Sequence, residues 1–276
     1  MQDELFGKEI EIRFYDLNLE TAKRVFEKTY LEALRLQRVF NFFDDGSELS
    51  KLNRKRKAKV SKDLLNVITD SLKFSEMTKG EYDITLGKRI LNRKKGKKDI
   101  RISSSYRDVL VEGDRIKLKN KDATIDLGSI AKGFITDKLS ELIKKEGVKE
   151  FIINSRGDLV FSGCMTHIIG IANPRNKKKN IHLIKMKDKA VATSGDYNQY
   201  YKEYKKSHIL NQKDVISATV IAGTLEEADV LSTAIFVSDE KIRRRIIMEN
   251  PEAKFFLVKE DLSEEMHNGF EEAIYE

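Results

Sequence analysis

The spacing of hydrophobic and polar residues along the first third of the chain predicts both strand and helix. Residues 8–14 alternate with a period of two, which is typical of a half-buried strand. From residue 19 to about residue 40, apolar residues recur with the 3.6 period of an amphipathic helix. Ser61 precedes a second such pattern and is placed to cap a helix that ends at Lys79-Gly80. The acidic segment after Phe43, which contains Ser47, is predicted to be a loop leading into a short turn.

Most later segments are predicted to be short strands. The pattern indicates a hairpin within residues 108–127 and strands near residues 151–154, 159–161, 168–172, 189–197, 215–222 and 255–258. Helices are predicted from about residue 130 to 146, from the capping box at Thr224, and after a cap at Ser238. Residues 177–179 are predicted to form a solvated loop tip, and the acidic C-terminal tail is predicted to fray. Because helices and strands mix without regular alternation, we expect an α+β fold with largely antiparallel sheet.

Composition limits the possible classes of protein. The chain has 276 residues, 40% of them hydrophobic, which suffices for one large core or two closely packed lobes. Proline occurs only twice and marks no linker, so we expect residues 1–276 to form a single domain. The single cysteine, Cys164, excludes an internal disulfide framework and a cysteine-based zinc site. With no signal-like segment and no run long enough to span a membrane, we expect a cytoplasmic protein without membrane insertion.

The net charge of +7 suits an anionic ligand, but acidic and basic residues are interspersed along most of the chain. A basic run at residues 93–98 could contact an anion or a nucleic-acid backbone, yet such runs are more often solvated loops. We therefore expect no nucleic-acid partner. His208 precedes an apolar strand, where an imidazole can serve either as a general base or as a structural hydrogen-bonding group.

The stretch from Thr124 to Phe134 is the strongest candidate for a ligand site. A strand-like approach ends in Asp126-Leu127-Gly128-Ser129, and a helical pattern begins at once. A helix N-terminus presents free N–H groups and partial positive charge, and Lys132 adds a full charge, so this turn could hold phosphate. Small residues at a strand-to-helix turn also occur for purely structural reasons.

Asp229 and Thr233 form a second candidate site. They are four residues apart in a predicted helix and therefore lie on one face. A carboxylate and a hydroxyl in this arrangement can supply two oxygen ligands to Mg²⁺, which completes its octahedron with phosphate and water. A solvated polar face of an amphipathic helix would show the same spacing.

Taken together, these segments resemble one family, the ApbE-type FAD:protein FMN transferases. The resemblance rests on six segments in the family's order: Ser47-Glu48-Leu49-Ser50 with Asn53; Gly80-Glu81-Tyr82-Asp83-Ile84-Thr85-Leu86-Gly87; Asp126-Leu127-Gly128-Ser129-Ile130-Ala131-Lys132-Gly133; Gly157-Asp158 with Ser162-Gly163; Val191-Ala192-Thr193-Ser194-Gly195-Asp196-Tyr197; and Ala218-Thr219-Val220 with Ala228-Asp229 and Thr233-Ala234. They span residues 47–234.

The resemblance implies a T-fold-like arrangement of largely antiparallel sheets and packed helices, in which residues 1–276 form two intimately packed lobes. It also implies that FAD binds between the lobes as substrate, with one Mg²⁺ on its diphosphate. In such enzymes FMN is transferred to a threonine or serine hydroxyl of an acceptor protein, and AMP is released. Matched by motif, Asp229, Thr233 and the backbone carbonyl of Ser129 would bind the metal. Phe43, Asp126, Lys132 and Leu210 would contact the flavin nucleotide, and His208 would deprotonate the attacking hydroxyl.

The sequence also departs from the family's pattern. Asn211-Gln212-Lys213-Asp214 follows the histidine segment where the family has an Asp-Pro-Arg-Thr-Gly-like loop, and Phe43 stands where tyrosine is common. The chain contains no tryptophan, although the family commonly places one after Gly87. An FAD pyrophosphatase that yields FMN and AMP, and a non-catalytic FAD-binding protein, are therefore the alternative interpretations.

Overall fold

The computed structural model describes residues 2–5, 8–95, 97, 100–197, 200–201, 203–207 and 213–276. Within these ranges the helices are α1 (Leu19–Phe40), α2 (Glu48–Lys55), α3 (Lys62–Met77), α4 (Gly87–Lys94), α5 (Ala131–Lys145), α6 (Leu225–Val237) and α7 (Glu240–Glu249), with 3₁₀ turns at Tyr106–Asp108 and Phe270–Ala273. The strands are β1 (Gln2–Leu5), β2 (Lys8–Phe14), β3 (Lys57–Lys59), β4 (Val109–Glu112), β5 (Arg115–Leu118), β6 (Phe151–Ser155), β7 (Asp158–Ser162), β8 (His167–Asn173), β9 (Asn176–Met186), β10 (Ala190–Gly195), β11 (Tyr200–Tyr201), β12 (Glu203–Ser207), β13 (Val215–Ala222), β14 (Lys254–Lys259) and β15 (Glu264–His267). The α+β prediction is confirmed.

The largest sheet contains eight strands in the order β1-β2-β6-β7-β10-β13-β14-β15, and every neighbouring pair is antiparallel. Strand β13 is buried along its whole length. Its side chains contribute to two hydrophobic clusters, one shared with α6 and the other with the β8–β9 ribbon. Because a helix and a ribbon cover the two faces of this sheet, its central strands carry apolar residues without alternation.

Helices α5 and α6 pack against each other, and α1 packs on α5. The end of α1 is followed by Phe42 and Phe43, and the start of α5 follows the predicted Asp126–Ser129 turn. This packing brings the first turns of α5 and α6 together at one end of the sheet. None of the helices in the described ranges has the length and apolar composition that a membrane span requires.

Two sequence predictions about helix starts were wrong. The segment after Ser47 is helix α2, because the Ser47 hydroxyl accepts a hydrogen bond of 3.0 Å from the Ser50 N–H and so caps a helix. Helix α7 is capped by Asp239, whose carboxylate accepts from the Ile242 N–H at 2.9 Å. Ser238, the predicted cap, instead terminates α6.

Two predictions of irregular structure were also wrong. Residues 177–179 belong to strand β9, and the turn of the hairpin lies at residues 174–175. The C-terminal segment is ordered by β15 and by a 3₁₀ turn that starts at Phe270. Phe270 is fully buried and its ring stacks 5.5 Å from that of Phe256, so one aromatic residue holds an otherwise charged segment against the sheet.

Candidate functional site

A cleft of about 930 Å³ opens between the start of α5, the face of α6 that carries Asp229, Thr233 and Val237, and the eight-stranded sheet. Six of the predicted site residues line it: Phe43, Asp126, Ser129, Lys132, Asp229 and Thr233. They come from segments separated by up to 190 positions in the sequence. The volume falls in the range of cofactor and nucleotide pockets.

Asp229 and Thr233 lie one turn apart on α6, as the spacing predicted. This helix begins where the Thr224 hydroxyl accepts a hydrogen bond from the Glu227 N–H. Asp229 is 4% exposed, and its Oδ2 accepts a hydrogen bond of 3.1 Å from the Gly133 N–H in the first turn of α5. The candidate metal ligand on α6 is thus held directly by the backbone of the candidate phosphate turn.

The close contact between α5 and α6 depends on glycine at position 133. A Cβ atom there would lie 2.4 Å from the carbonyl oxygen of Leu225 and 2.5 Å from the Cα of Glu226. Real Cβ atoms do not approach backbone this closely, so only glycine permits the two helices to pack at this distance. The glycine in the Ala131-Lys132-Gly133 segment therefore has a packing role.

Thr233 belongs to a group of hydroxyls at the floor of the cleft. The Ser194 hydroxyl lies 3.0 Å from Oγ1 of Thr233 and 2.9 Å from Oγ of Ser232. The Ser232 hydroxyl in turn donates to the backbone carbonyl of Asp229 at 2.9 Å. These contacts fix the side chain of Thr233 relative to strand β10, so its oxygen is already oriented in the absence of a ligand.

Lys132 contacts two buried carboxylates. Its ammonium group donates to Oδ2 of Asp158 and lies 3.4 Å from Oδ1 of Asp229. The other oxygen of Asp158, a residue only 4% exposed, accepts from the Thr193 N–H at 3.1 Å. Lys132 is thus oriented by β7, α6 and, through Asp158, β10. Asp158 appeared in the sequence only as part of a motif, and its role as the partner of Lys132 was not predicted.

Asp126 and Ser129 shape the turn before α5. The Asp126 N–H donates to the Ile84 carbonyl at 2.9 Å, and its Oδ1 accepts from the Gly128 N–H at 2.7 Å. The Ser129 hydroxyl lies 2.9 Å from the Tyr82 hydroxyl. Burial raises the pKa of Tyr82, so this hydroxyl stays protonated. The contact with Tyr82 fixes the side chain of Ser129, and the predicted metal contact is assigned to its backbone carbonyl.

Phe43 lies at the rim of the cleft and is 61% exposed. Its ring meets that of Phe42 edge-to-face at 5.5 Å, and its N–H donates to the Asn41 side chain at 3.0 Å. An exposed aromatic ring held in this way offers a surface on which a planar ring system can stack. Phe43 thus lies at the cleft that the other described site residues line, and its contact with a flavin stays a prediction.

His208 and Leu210 lie outside the residues that the structure describes. Their predicted roles, as general base and as a contact to FAD, remain predictions from sequence.

Arg156 is a cleft residue that sequence reasoning did not identify. It occupies the tight turn between β6 and β7 with a φ of 61°, and its side chain is exposed into the cleft. The surrounding protein lowers the pKa of its guanidinium by desolvation, and the negative charge of Asp229 opposes that shift. Arg156 follows a strand in the sequence like many turn residues, so no pattern distinguished it.

The balance of charge in the cleft is suited to a bound cation. Three buried carboxylates, those of Asp126, Asp158 and Asp229, face the two positive charges of Lys132 and Arg156. Among the described residues, no group of three or more His, Cys, Asp or Glu side chains forms a metal cage. Mg²⁺ requires no such cage, because it is commonly held by one or two carboxylates together with the phosphates of a substrate.

Comparison with known proteins identifies relatives of one kind. The model of the ApbE family matches residues 6–257. The FAD:protein FMN transferase of Buchnera aphidicola subsp. Schizaphis graminum is 29% identical over 221 residues, which cover 69% of this chain and 65% of that protein. The FAD:protein FMN transferase of Haemophilus influenzae is 25% identical over 305 residues, with 96% of this chain and 86% of that protein covered.

Solved structures similar to this chain also include ApbE proteins. The crystal structure of the ApbE protein from Thermotoga maritima superposes with a TM-score of 0.86 at 26% identity, and the match covers 100% of this chain and 99% of that one. The flavin transferase ApbE from Vibrio cholerae superposes with a TM-score of 0.80 at 19% identity, covering 99% and 98% of the two chains. The likeness to the Vibrio cholerae structure establishes a shared fold.

Proposed function

The chain belongs to the ApbE family, and from that premise we propose that it is an FAD:protein FMN transferase. The observation that carries this proposal is the convergence of the α5 turn and Asp229 of α6 on one cleft of about 930 Å³. The Buchnera aphidicola and Haemophilus influenzae relatives are named for the same activity. The acceptor would be a threonine or serine hydroxyl of a second protein.

The proposed reaction is a displacement at phosphorus. The acceptor oxygen attacks the phosphorus atom of the FMN half of FAD, a new phosphoester bond forms, and the bond to the AMP phosphate breaks. The hydroxyl proton passes to a base, which we assign to His208, and AMP leaves with its phosphate. In phosphoryl transfer, positioning and electrostatic stabilisation supply most of the catalysis.

The residues of the cleft can supply this positioning and electrostatic stabilisation. Asp229, Thr233 and the backbone carbonyl of Ser129 would hold Mg²⁺, which would neutralise charge on the diphosphate and stabilise the leaving AMP. Lys132 is held at the same place by Asp158 and presents a full positive charge.

Three further contacts concern the nucleotide itself. Arg156 offers a second positive charge in the cleft. Phe43 would stack on the isoalloxazine ring, and Asp126, together with Leu210, would contact the nucleotide.

We also propose that residues 1–276 act as one unit of two packed lobes, since both hydrophobic clusters share the eight-stranded sheet. The single cysteine is exposed and suits a reducing compartment, which supports a cytoplasmic location.

The test is to incubate the protein with FAD and Mg²⁺, with and without a threonine-containing acceptor peptide. AMP and FMN are measured by chromatography, and the peptide is measured by mass spectrometry. Peptide-bound FMN supports the proposal. AMP with free FMN in both samples indicates a pyrophosphatase, and intact bound FAD without AMP indicates a non-catalytic flavin-binding protein.

A further inference from the structure

The entire net positive charge of this protein lies in one short segment. Residues 87–98 contain seven lysine and arginine residues and no acidic residue, so the segment carries +7, the same as the formal net charge of the whole chain. The remaining residues therefore contain equal numbers of basic and acidic side chains, 45 of each. Such a concentration of one sign creates a local potential that attracts anionic partners.

Helix α4, which supplies most of this segment, forms part of the wall of the cleft. Leu86 and Ile90 line the cleft, while Lys88, Lys95 and Lys97 are exposed to solvent. Helix α4 also lies beside strand β11. The exposed lysines of this segment are thus adjacent to the cleft.

The position of α4 relative to the cleft is fixed by backbone contacts. The Gly87 N–H donates to the Thr124 carbonyl at 2.8 Å, and Leu86 forms a parallel bridge with Thr124. A Cβ atom on Gly87 would lie 2.7 Å from the same carbonyl oxygen. The start of α4 is therefore held against the segment that leads into the Asp126–Ser129 turn.

The acidic residues on the same wall are engaged with the protein. Glu81 accepts from the Asp239 N–H at 2.7 Å and lies 3.5 Å from the ammonium group of Lys213. Asp83 accepts from the N–H groups of Thr85, at 2.8 Å, and Tyr106, at 2.9 Å. These contacts hold both carboxylates against neighbouring segments of the protein.

We propose that helix α4, together with the exposed side chains of Lys88, Lys95 and Lys97, forms a docking surface for an acidic segment of the acceptor protein. This inference rests on the proposed transferase function, because it assigns a partner to the same cleft. FAD does not account for Lys88, Lys95 and Lys97, since its diphosphate is already assigned to Lys132 and to the metal site. Exposed charges act chiefly by speeding association, and their effect weakens with salt.

The observations favour an acidic protein over a nucleic acid. An eight-residue helix is about 12 Å long and spans only a few phosphates of a polynucleotide. Outside the basic segment the basic and acidic residues balance, 45 of each, whereas binding to a nucleic-acid backbone draws on a surplus of positive charge. A protein acceptor, in contrast, is a required reactant of the proposed reaction.

The experiment compares two fluorescently labelled peptides that share a central threonine and differ only in the residues that flank it. One peptide carries aspartate and glutamate there, and the other carries asparagine and glutamine. Binding is measured by fluorescence anisotropy with FAD present, at low and at physiological salt. The variant is the triple substitution Lys88→Glu, Lys95→Glu and Lys97→Glu. The matched control, Lys23→Glu, Lys62→Glu and Lys144→Glu, makes the same change of charge at exposed positions of α1, α3 and α5.

We expect the wild-type protein to bind the acidic peptide about tenfold more tightly at low salt. The α4 triple variant should lose this preference, while the control keeps it and both retain their affinity for FAD. Equal binding of the two peptides by the wild-type protein, or equal losses in the α4 and control variants, would overturn the proposal.

Two further outcomes point to other ligands and also overturn it. A single-stranded oligonucleotide that binds more tightly than the acidic peptide and is released by the α4 substitutions would indicate a nucleic-acid surface. If the α4 triple variant loses affinity for FAD but keeps its preference for the acidic peptide, α4 contacts FAD and not the acceptor. Because binding is measured independently of transfer, a protein that selects the acidic peptide but does not flavinylate it refutes the transferase function and leaves the docking surface standing.

Discussion

The backbone N–H of Gly133 donates a hydrogen bond of 3.1 Å to Oδ2 of Asp229, and so joins two residues that are 96 positions apart in the sequence. The bond links the turn that could hold phosphate to the carboxylate that could hold a metal. Each half of this site also has an ordinary structural explanation when considered alone. Their direct contact makes a shared ligand the better interpretation, and it motivates the following predictions.

Replacing Asp229 with asparagine should remove the metal-dependent reaction and preserve the fold. The amide oxygen can still accept from Gly133, but the negative charge that would hold Mg²⁺ is lost. We expect AMP release from FAD to fall by about 10²- to 10³-fold, measured over a range of Mg²⁺ concentrations. Asp70→Asn removes a partly exposed carboxylate of α3 and serves as the control. Unchanged turnover with unchanged Mg²⁺ dependence would show that Asp229 is not a metal ligand.

Gly133→Ala should destabilise the protein. The new methyl group would meet the Leu225 carbonyl oxygen at 2.4 Å, so α5 and α6 must separate. Overpacking of this kind costs about 1–3 kcal/mol, which urea denaturation would detect as a lower midpoint. Gly223→Ala is the matched control, because the nearest atom to its new Cβ is the Glu227 carboxylate at 4.0 Å. Equal stability of the two variants would mean that the helices do not approach as closely as described.

Arg175→Ala should also destabilise the protein, through the charge that it leaves behind. Arg175, at the tip of the β8–β9 hairpin, forms two hydrogen bonds to Asp196, of 2.7 and 2.9 Å, and the Asp196 side chain is only 1% exposed. Removing one partner of a buried ion pair costs about 3–5 kcal/mol, but the Arg175 side chain is 28% exposed, so we expect a loss of about 2–3 kcal/mol.

The control for Arg175 is Arg13→Ala, which removes an exposed pair with Glu11 and should cost less than about 1 kcal/mol in the same denaturation assay. If Arg175→Ala lowers the free energy of unfolding no more than Arg13→Ala does, other groups must stabilise the Asp196 carboxylate.

Glu226 should make stability depend on pH. Burial, followed by the nearby charges of Asp70 and Asp137, raises the pKa of its carboxyl group from 4.5 to about 7. Because the folded state binds this proton more tightly than the unfolded state does, protonation of Glu226 adds to the free energy of unfolding. This contribution is fully present below about pH 4.5 and is lost as the pH rises through 7.

Glu226→Gln should therefore increase the free energy of unfolding at pH 8 and change it little at pH 5. The gain at pH 8 should be about 1–2 kcal/mol, since the group is partly exposed and solvent screens part of the effect. Urea denaturation of both proteins at the two pH values provides the measurement. An equal effect at pH 5 and pH 8 would exclude titration of Glu226 as the cause.

His208→Ala should lower the rate of FMN transfer more than it weakens FAD binding. Loss of a general base typically costs about 10²- to 10⁴-fold in rate. Single-turnover flavinylation of a peptide, measured beside FAD affinity, separates the two effects. His182→Ala is the control, since this histidine is not among the residues that line the cleft and it contacts Glu264 at 2.6 Å. Parallel losses in transfer and in FAD binding would argue against a base.

Elements with a strong local signal could be predicted from the sequence. The 3.6-residue period of apolar residues predicted both ends of α1, and the predicted cap at Ser61 placed the start of α3 at Lys62. The cap of α7 was misplaced by one residue because Ser238 and Asp239 are adjacent residues that both favour N-cap positions, and only the geometry selects between them. The sequence did not predict that the C-terminal segment is ordered, because this depends on the contact of one residue, Phe270, with a distant strand.

The candidate site was predictable where it depends on local spacing or on motif, and unpredictable where it depends on contacts in space. Asp229 and Thr233 follow from a four-residue spacing on one helix. The pairing of Lys132 with Asp158 does not, since it joins a helix to a strand 26 residues later. The contact of Tyr82 with Ser129 spans 47 residues and likewise leaves no trace in periodicity.

The most direct test of the central claim is the ratio of AMP released to peptide flavinylated in one reaction with limiting FAD and excess acceptor peptide. If the α5 turn and Asp229 together form a site that transfers FMN, each AMP should be matched by one peptide carrying FMN. Asp229→Asn should abolish both products. AMP matched by free FMN, with no modified peptide, would contradict the claim and identify hydrolysis as the reaction of this cleft.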